Sequence, residues 1–377
     1  MAKVKLNDVA VEARETWKQN KTDVPVVGLE HLEPDEIWLR RWNLNPDENT
    51  FTKGFKKGQL LFGRRRAYQK KMSVASCDGI CSGDITVIAA RPEKILPELL
   101  PFYLRTDSFF DFAVRGSGGS LSPRVKWSHI SDYEFVLPPI EEQKKLAELL
   151  WAANDLKEKY KKAITATDEM LKAKFREMFG DVGNGDGFYT EAQRRRVVSV
   201  PIGLIGDVYT GSTPSMKVVE YYENREIPFY KPSDFQEGIT TLVMSEFYVD
   251  KRAESKCRMF DVGAVLVTCI GTVGKVGLAT MPGTCNQQIN FIVPNSKIDS
   301  KYLAYAMVFV GEKMAESAKA SVVPIINKTE FCNYKIPLPP ISLQREFVAI
   351  AEKAESVKAA LKKSIADIDQ VMKGLIN

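Results

Sequence analysis

Histidine is almost missing from these 377 residues. Only His31 and His129 occur, and neither has a metal-ligand neighbour at useful spacing. Six cysteines, Cys77, Cys81, Cys257, Cys269, Cys285 and Cys332, fall mostly in apolar or strand-like runs. They lack the density of a secreted disulfide scaffold, so buried or half-buried thiols are expected. Cys77 and Cys81 are separated by three residues and have no second pair, which argues against a zinc site. Long apolar runs are absent too: Val262 to Ile270 is too short and too close to glycines to span a bilayer. No signal-peptide pattern opens the chain, so a cytoplasmic protein without a membrane partner is expected. There is no dinucleotide fingerprint and no Asn/Asp-Pro-Pro-Tyr/Phe tetrapeptide of the methyltransferase kind. Gly271-Thr272-Val273-Gly274-Lys275 lacks a serine or threonine after the lysine, and Cys269 stands where a phosphate-binding loop has its leading glycine. A strand-end turn is the plainer reading. No catalytic residue, metal ligand or cofactor is assigned, and the chain reads as a non-enzyme.

What the sequence does contain is two long helical runs. Leu137-Pro138-Pro139-Ile140-Glu141-Glu142-Gln143 is followed by a stretch without proline or glycine to Phe179. Apolar or small residues recur at Leu146, Leu149, Ala153, Leu156, Tyr160, Ile164, Leu171 and Phe175. That three-and-four alternation predicts a coiled-coil seam about 60 Å long. One narrow stripe needs a partner of similar length. Leu338-Pro339-Pro340-Ile341-Ser342-Leu343-Gln344 repeats the opening, and its stripe reads Phe347, Ile350, Ala354, Val357, Leu361, Ile365 and Ile368.

The rest of the chain repeats as well. Residues 1–136 and 197–337 read as mixed α/β (α+β) globular units, joined by long helices at 137–180 and 338–377, with a glycine-rich linker at 181–196. Strands are expected at Val24 to Leu29, Trp38 to Leu44, Leu60 to Gly63 and Ile85 to Ala89. A helix is expected in the later part of Leu96 to Ala113, and a loop at Arg115 to Ser120. Leu6-Asn7-Asp8-Val9 matches Ile205-Gly206-Asp207-Val208, Phe55 and Gly58 match Phe260 and Gly263, and Cys81 to Ile85 matches Cys285 to Ile289. Ser122-Pro123 matches Val323-Pro324, and Lys70 is placed opposite Lys275. Offsets of 199 to 205 residues in one order predict a duplication. Antiparallel packing of the helices would give an approximate two-fold axis and place the domains more than one DNA turn, about 34 Å, apart.

Net charge is +5 and the pI about 8.7, a mild bias towards an anionic partner. Lys53, Lys56 and Lys57 precede a dense basic run holding Arg64, Arg65, Arg66, Tyr68, Gln69 and Lys70. Arginines can take phosphate or guanine edges, and Gln69 could read adenine; a solvated basic loop is the bland alternative. The second unit offers Lys231, Ser233, Lys275, Asn286, Gln287, Gln288 and Asn327, with Gly211-Ser212-Thr213-Pro214 as a further polar loop. Asn286 to Gln288 reads equally as turn hydrogen bonding.

On these features the chain resembles the specificity subunit of type I restriction-modification systems. The resemblance rests on the doubled Leu-Pro-Pro-Ile…Gln, Asp8-Val9 with Asp207-Val208, Gly211 to Pro214, Leu266 to Gly274, and Phe175 to Asp181 closing the first helix. It implies two target recognition domains, joined by two long antiparallel spacer helices that dock two modification subunits. Those subunits would carry S-adenosylmethionine and methylate adenine N6, and a motor and nuclease subunit could add cleavage. This chain would bind double-stranded DNA at a bipartite site. The competing reading is a coiled-coil scaffold joining two protein-binding domains, which would show no DNA affinity.

Overall fold

A computed structural model of the protein describes residues 2–18, 22–44, 50–180, 197–318 and 323–376. The expected linker at 181–196 lies outside them. Two long helices, Ile140–Phe179 and Ile341–Ile376, follow the two Leu-Pro-Pro segments, and the α+β class holds. The chain divides into two units: Met1–Lys162 with Leu361–Asn377, and Ala163–Ala360. Each unit therefore contains part of both helices.

Runs that are almost continuously apolar, such as Leu60-Leu61-Phe62 and Ile85-Thr86-Val87-Ile88, become strands buried on both faces. In the first unit, among the described residues, Leu60–Gly63 lies between Met72–Val74 and Ile85–Ala90, all antiparallel, with Ala10–Glu12 beyond Ile85–Ala90. Gly79–Cys81 runs parallel to Val26–Val27 and antiparallel to Lys53–Phe55. Ala2–Lys5 pairs with Glu134–Leu137, the strand that feeds the first long helix.

The second unit repeats this topology strand for strand. Val265–Thr268 lies between Val276–Ala279 and Ile289–Pro294, with Gly206–Thr210 outside. Gly283–Cys285 runs parallel to Ile227–Tyr230 and antiparallel to Met259–Phe260, and Val198–Pro201 pairs with Lys335–Leu338. Two strands have no counterpart among the described strands of the first unit: Ile239–Leu242, parallel to Val276–Ala279, and Tyr248–Val249. The duplication read from sparse matches is thus a duplication of hydrogen-bonded register. One match shifts. Gly63 N–H donates to Lys71 O and Thr268 N–H to Lys275 O, so Lys71, not Lys70, is the counterpart of Lys275.

Local expectations are adjusted elsewhere. Trp38 to Leu44 forms isolated bridges, Trp38 to Val74 and Asn43 to Val26, rather than a strand. The helix over Leu96 to Ala113 is two helices, Leu100–Leu104 and Asp107–Arg115, the second capped by Thr106 Oγ1 accepting from Phe109 N. Within the expected loop Arg115 to Ser120, Ser117–Gly118 pairs with Arg124–Val125 as a short ribbon. Glycine and serine density masks such ribbons, because it marks the turn and not the pairing partner.

The helix seam keeps most of the positions the apolar residues suggest and departs from them at three, Leu149, Leu156 and Val357. On the first helix Gln143, Ala147, Leu150, Asn154, Leu171, Phe175 and Phe179 are buried, and the half-buried Lys157, Lys161, Ile164 and Asp168 continue the rhythm. Leu149 (57 %) and Leu156 (40 %) are exposed, as is Val357 (53 %) on the second helix, where Lys358 takes the inward place. Polar residues occupy inward positions, so an apolar scan slides one residue to the nearest leucine. The remaining seam positions, Leu146, Ala153, Tyr160, Ile350, Ala354, Leu361, Ile365 and Ile368, are buried or half-buried.

The charged seam positions are paired, whereas Asn154 Nδ2 has no hydrogen-bond partner among the described residues. In the first unit Lys157 Nζ lies 2.6 Å from Asp369; in the second, Lys358 Nζ lies 2.5 Å from Asp168. Lys358 and Asp369 stand 201 residues beyond Lys157 and Asp168, so each helix supplies the lysine of one pair and the carboxylate of the other. In the second unit Phe347 meets Phe175 and Phe179 at 5.3 and 5.6 Å, while Lys358 meets Asp168. The two helix segments there run antiparallel.

The repeated glutamine explains the Leu-Pro-Pro motif. Gln143 is buried; its Oε1 accepts from Leu96 N at 2.9 Å, and its Nε2 donates to Lys94 O and Pro138 O. Gln344 does the same with Asp299 N, Lys297 O and Pro339 O. Each glutamine clasps its domain to the start of its helix.

Two expectations follow. Gln143→Ala or Gln344→Ala orphans buried main-chain groups at about 1–3 kcal/mol each, lowering the denaturation midpoint of the corresponding domain; an unchanged midpoint would remove the clasp. Lys358→Asp destabilises the helix pair and adding Asp168→Lys restores it. A double-mutant cycle should give a coupling of about 0.2–1 kcal/mol for this partly exposed pair, and zero coupling would make it incidental.

Candidate nucleic-acid interface

The C-terminal end of Leu60–Gly63 carries the basic run. Arg64 N–H donates to Asp84 O, Arg66 N–H to Pro123 O and Val125 N–H to Arg64 O. The main chain therefore brings three loops, 64–71, 82–84 and 119–124, to one edge. Arg66 and Lys70 both adopt left-handed backbone, with φ of 54° and 53°. Two such non-glycine residues in one loop cost on the order of 1–3 kcal/mol each, the kind of strain that concentrates at functional sites.

Charge at this edge is organised around Asp84. Arg124 Nε donates to it at 2.7 Å and Arg65 Nη1 at 3.4 Å, while Arg65 Nη2 donates to Ser122 Oγ at 2.9 Å. The Arg124 guanidinium, with Arg65 behind it, holds the Asp84 carboxyl below its ordinary value. Its stabilising contribution is complete above the ordinary carboxylate range, near about 3.9, and is lost as pH falls through the lowered value. One carboxylate thus fixes two arginines. Arg66, Tyr68 and Gln69 stay exposed, and Arg64 is half-buried with no partner for its Nε among the described residues.

The remaining first-unit candidates are more committed. Lys53 Nζ reaches Ile85 O at 2.9 Å and Glu12 at 3.6 Å. Lys56 pairs with Glu15 at 3.3 Å, and it and Lys57 sit at the opposite end of the Leu60–Gly63 strand from the arginines. Lys70 pairs with Asp107 at 2.7 Å. Lys70 also lines a cleft of about 510 Å³ shared with Arg105, Asn154, Lys157, Asp369 and Lys373. Lys70 and Lys373 share Asp107, and Lys157 holds Asp369, so most cations there are already answered.

The second unit presents largely different loops, with different chemistry, at the same end of its sheet. Ser212 N–H donates to Cys285 O and Asn286 N–H to Tyr230 O, which brings the 211–214, 230–234 and 286–288 loops together. Gly211 is required there, since a Cβ would stand 2.2 Å from Asn286 O. Thr213 Oγ1 donates to Gln287 Oε1 at 2.5 Å, and Asn286 Nδ2 to Gln288 Oε1 at 2.8 Å. Asn286 is buried in turn hydrogen bonding, whereas Gln287 and Ser233 are exposed. Lys231 Nζ lies 3.2 Å over the Phe247 ring. Lys275 Nζ donates to Phe235 O, as Lys71 Nζ does to Leu29 O, which makes this lysine a loop tie in both repeats. Asn327 caps the helix Lys328–Asn333 through Glu330 N.

Gly271 to Lys275 is a strand-end turn. Gly274 has φ +91°, and a Cβ on it would meet Gly311 O at 2.2 Å. Both histidines have structural partners: His31 Nδ1 accepts from Gly28 N at 2.8 Å, and His129 stacks on Phe112 at 4.4 Å. All six cysteines are free. Burial pushes the Cys81 thiol up to about 12. Among the described residues no three His, Cys, Asp or Glu side chains group to hold a metal ion, and no helix is long and apolar enough to cross a membrane.

Two residues, one at the edge of each unit, escape the sequence scan. Arg124 follows the Ser122-Pro123 match directly. Arg258, exposed beside Ser212 Oγ and donating to Thr210 O, sits where the Phe55–Phe260 match puts Lys53. Extending each match by a few residues would have found both.

The family model for the type I restriction modification DNA specificity domain matches residues 195–370. The chain is 29 % identical over 173 residues to the EcoR124I/EcoR124II specificity subunit of Escherichia coli, a match spanning 44 % of this chain and 42 % of that subunit, less than half of either. A solved chain of a type I R-M system aligns over 100 % of this chain and 96 % of its own length, at 19 % identity and a TM-score of 0.60. The S subunit of a type I system from M. genitalium aligns over 100 % and 94 % at 13 % identity, with a TM-score of 0.58. At those identities the two structures speak for the fold.

Replacing Arg124 by Ala should move the Asp84 carboxyl back up towards about 3.9, followed by NMR titration of its side chain. An unmoved titration would place the control of Asp84 elsewhere.

Proposed function

We propose that the chain is a specificity subunit of a type I restriction-modification system and that it selects the DNA sequence on which a partner methyltransferase acts. The observation that carries this reading is the repeated edge: the same end of the sheet, in two copies of one topology, presents different polar side chains, drawn largely from different loops in the two units. In the first unit these are arginines with Tyr68 and Gln69; in the second, Thr213, Lys231, Ser233, Arg258 and Gln287. Two unlike edges suit two unlike half-sites of a bipartite target in double-stranded DNA. Side chains with donors and acceptors read base edges, and the cations supply salt-dependent phosphate affinity. The expected domains, 1–136 and 197–337, act as target recognition domains, and the long helices set the unread gap and dock two modification subunits. Adenine N6 methylation, with S-adenosylmethionine and extrusion of the base at a few kcal/mol, belongs to those subunits. A motor and nuclease subunit would add cleavage.

Co-expression with the cognate adenine methylase in a methylation-free host, followed by single-molecule sequencing, should yield a split motif with a constant gap that disappears when this chain is omitted. Random or absent methylation from a soluble complex would overturn the reading. Replacing Arg64, Arg65 and Arg66 together by Ala should weaken binding and relax only one half of the motif, while loss of both halves or of neither would unseat that edge.

A further inference from the structure

The ribbon formed by Ser117–Gly118 and Arg124–Val125 ends in a tip, Gly119-Ser120-Leu121-Ser122-Pro123, whose leucine has no structural employment. Leu121 is 91 % exposed, more than any other large apolar side chain among the described residues. A leucine standing alone in solvent is ordinary on a protein surface; its setting here is not. The tip is held from below by Arg66 N–H on Pro123 O at 2.8 Å and by Val125 N–H on Arg64 O at 3.0 Å. From the side, Arg65 Nη2 donates to Ser122 Oγ at 2.9 Å, and Arg124 is locked onto Asp84 at 2.7 Å. Gly119 at φ +106° lets the chain reverse, and Gly118 has open space around it. The result is a projecting apolar side chain on a braced ribbon, with Arg65, Arg66 and Arg124 beside its base.

That combination matches the chemistry of duplex DNA. An apolar side chain can enter between stacked base pairs and open the step, provided cations hold the flanking phosphates while stacking is lost. We propose that Leu121 is a wedge that enters a base step of the DNA at or beside the half-site read by the first unit, bending the duplex, with the exposed Arg66 on a neighbouring phosphate. This rests on the DNA-recognition reading above and adds to it a local distortion of the DNA and a residue that produces it. An acidic protein surface would be drawn to the same arginines, but it offers no slot between planar faces for a single leucine.

The test uses the assembled complex of this chain with its methylase and a duplex carrying the motif found by sequencing, labelled at both ends for energy transfer. A second duplex carries 2-aminopurine beside the first half-site. Leu121→Ala and Leu121→Ser should leave assembly and thermal unfolding unchanged, weaken binding about tenfold, reduce the bend and abolish the 2-aminopurine rise. Leu121→Met should restore most of each signal. Equal affinity, bend and fluorescence for parent and Leu121→Ala would overturn the wedge while leaving DNA recognition standing. Loss of assembly by the Leu121 variants would place the side chain in a protein contact and also overturn it. A parent complex without affinity for the duplex would instead defeat the recognition reading on which the wedge rests.

Discussion

A lysine half-buried between helices must find a carboxylate, and this requirement aligns the long helices. Asp168 follows Lys157 by eleven residues and Asp369 follows Lys358 by the same interval, close to three helical turns, so both charges of each helix face one side. Sliding either helix by one turn would part Lys157 from Asp369 and Lys358 from Asp168, leaving Lys358 with Glu355 of its own helix. Apolar packing alone, with Leu150 or Ala351, would tolerate such a slide more easily. The pairs are each worth little in net stability; their effect is to make one alignment better than its neighbours, the role best attested for polar groups in helix seams.

Within each unit, the ties that shape the edge differ from the side chains left free on it. Lys71 and Lys275 reach main-chain oxygens of a neighbouring short turn, Leu29 O and Phe235 O. Asp84 and Gln288 occupy the same place in the two loops, since Arg64 N–H and Cys269 N–H donate to their carbonyls. The side chains at that place diverge: a carboxylate that gathers two arginines in one unit, an amide that accepts from Asn286 in the other. Main-chain geometry is repeated while charge is not, as expected when one scaffold presents two surfaces.

The duplication was legible because its strongest marks are punctuation: paired prolines before a helix, glycines at strand turns. The seam was legible except at Leu149, Leu156 and Val357, because polar residues such as Asn154, Lys157 and Lys358 occupy inward positions that an apolar scan skips. Lys53, Lys275 and Asn327 looked like contact residues by type; each is used internally, by Ile85 O, Phe235 O and Glu330 N. Composition cannot distinguish a lysine reaching out from one reaching back. Arg124 and Arg258 were overlooked for the opposite reason, being isolated charges beside weak matches. Their position becomes visible only when strand pairing places them beside Asp84 and Ser212.

The clasp has a further consequence. Gln143 and Gln344 hydrogen-bond to the domains through main-chain groups, Leu96 N with Lys94 O and Asp299 N with Lys297 O. Such a joint recognises the path of a loop and is indifferent to its side chains. Residues elsewhere in either unit can change while the fastening to the helix stays the same, so the socket is generic and its cargo is free to drift. A chain built this way can acquire a new reading edge without renegotiating how that edge is mounted.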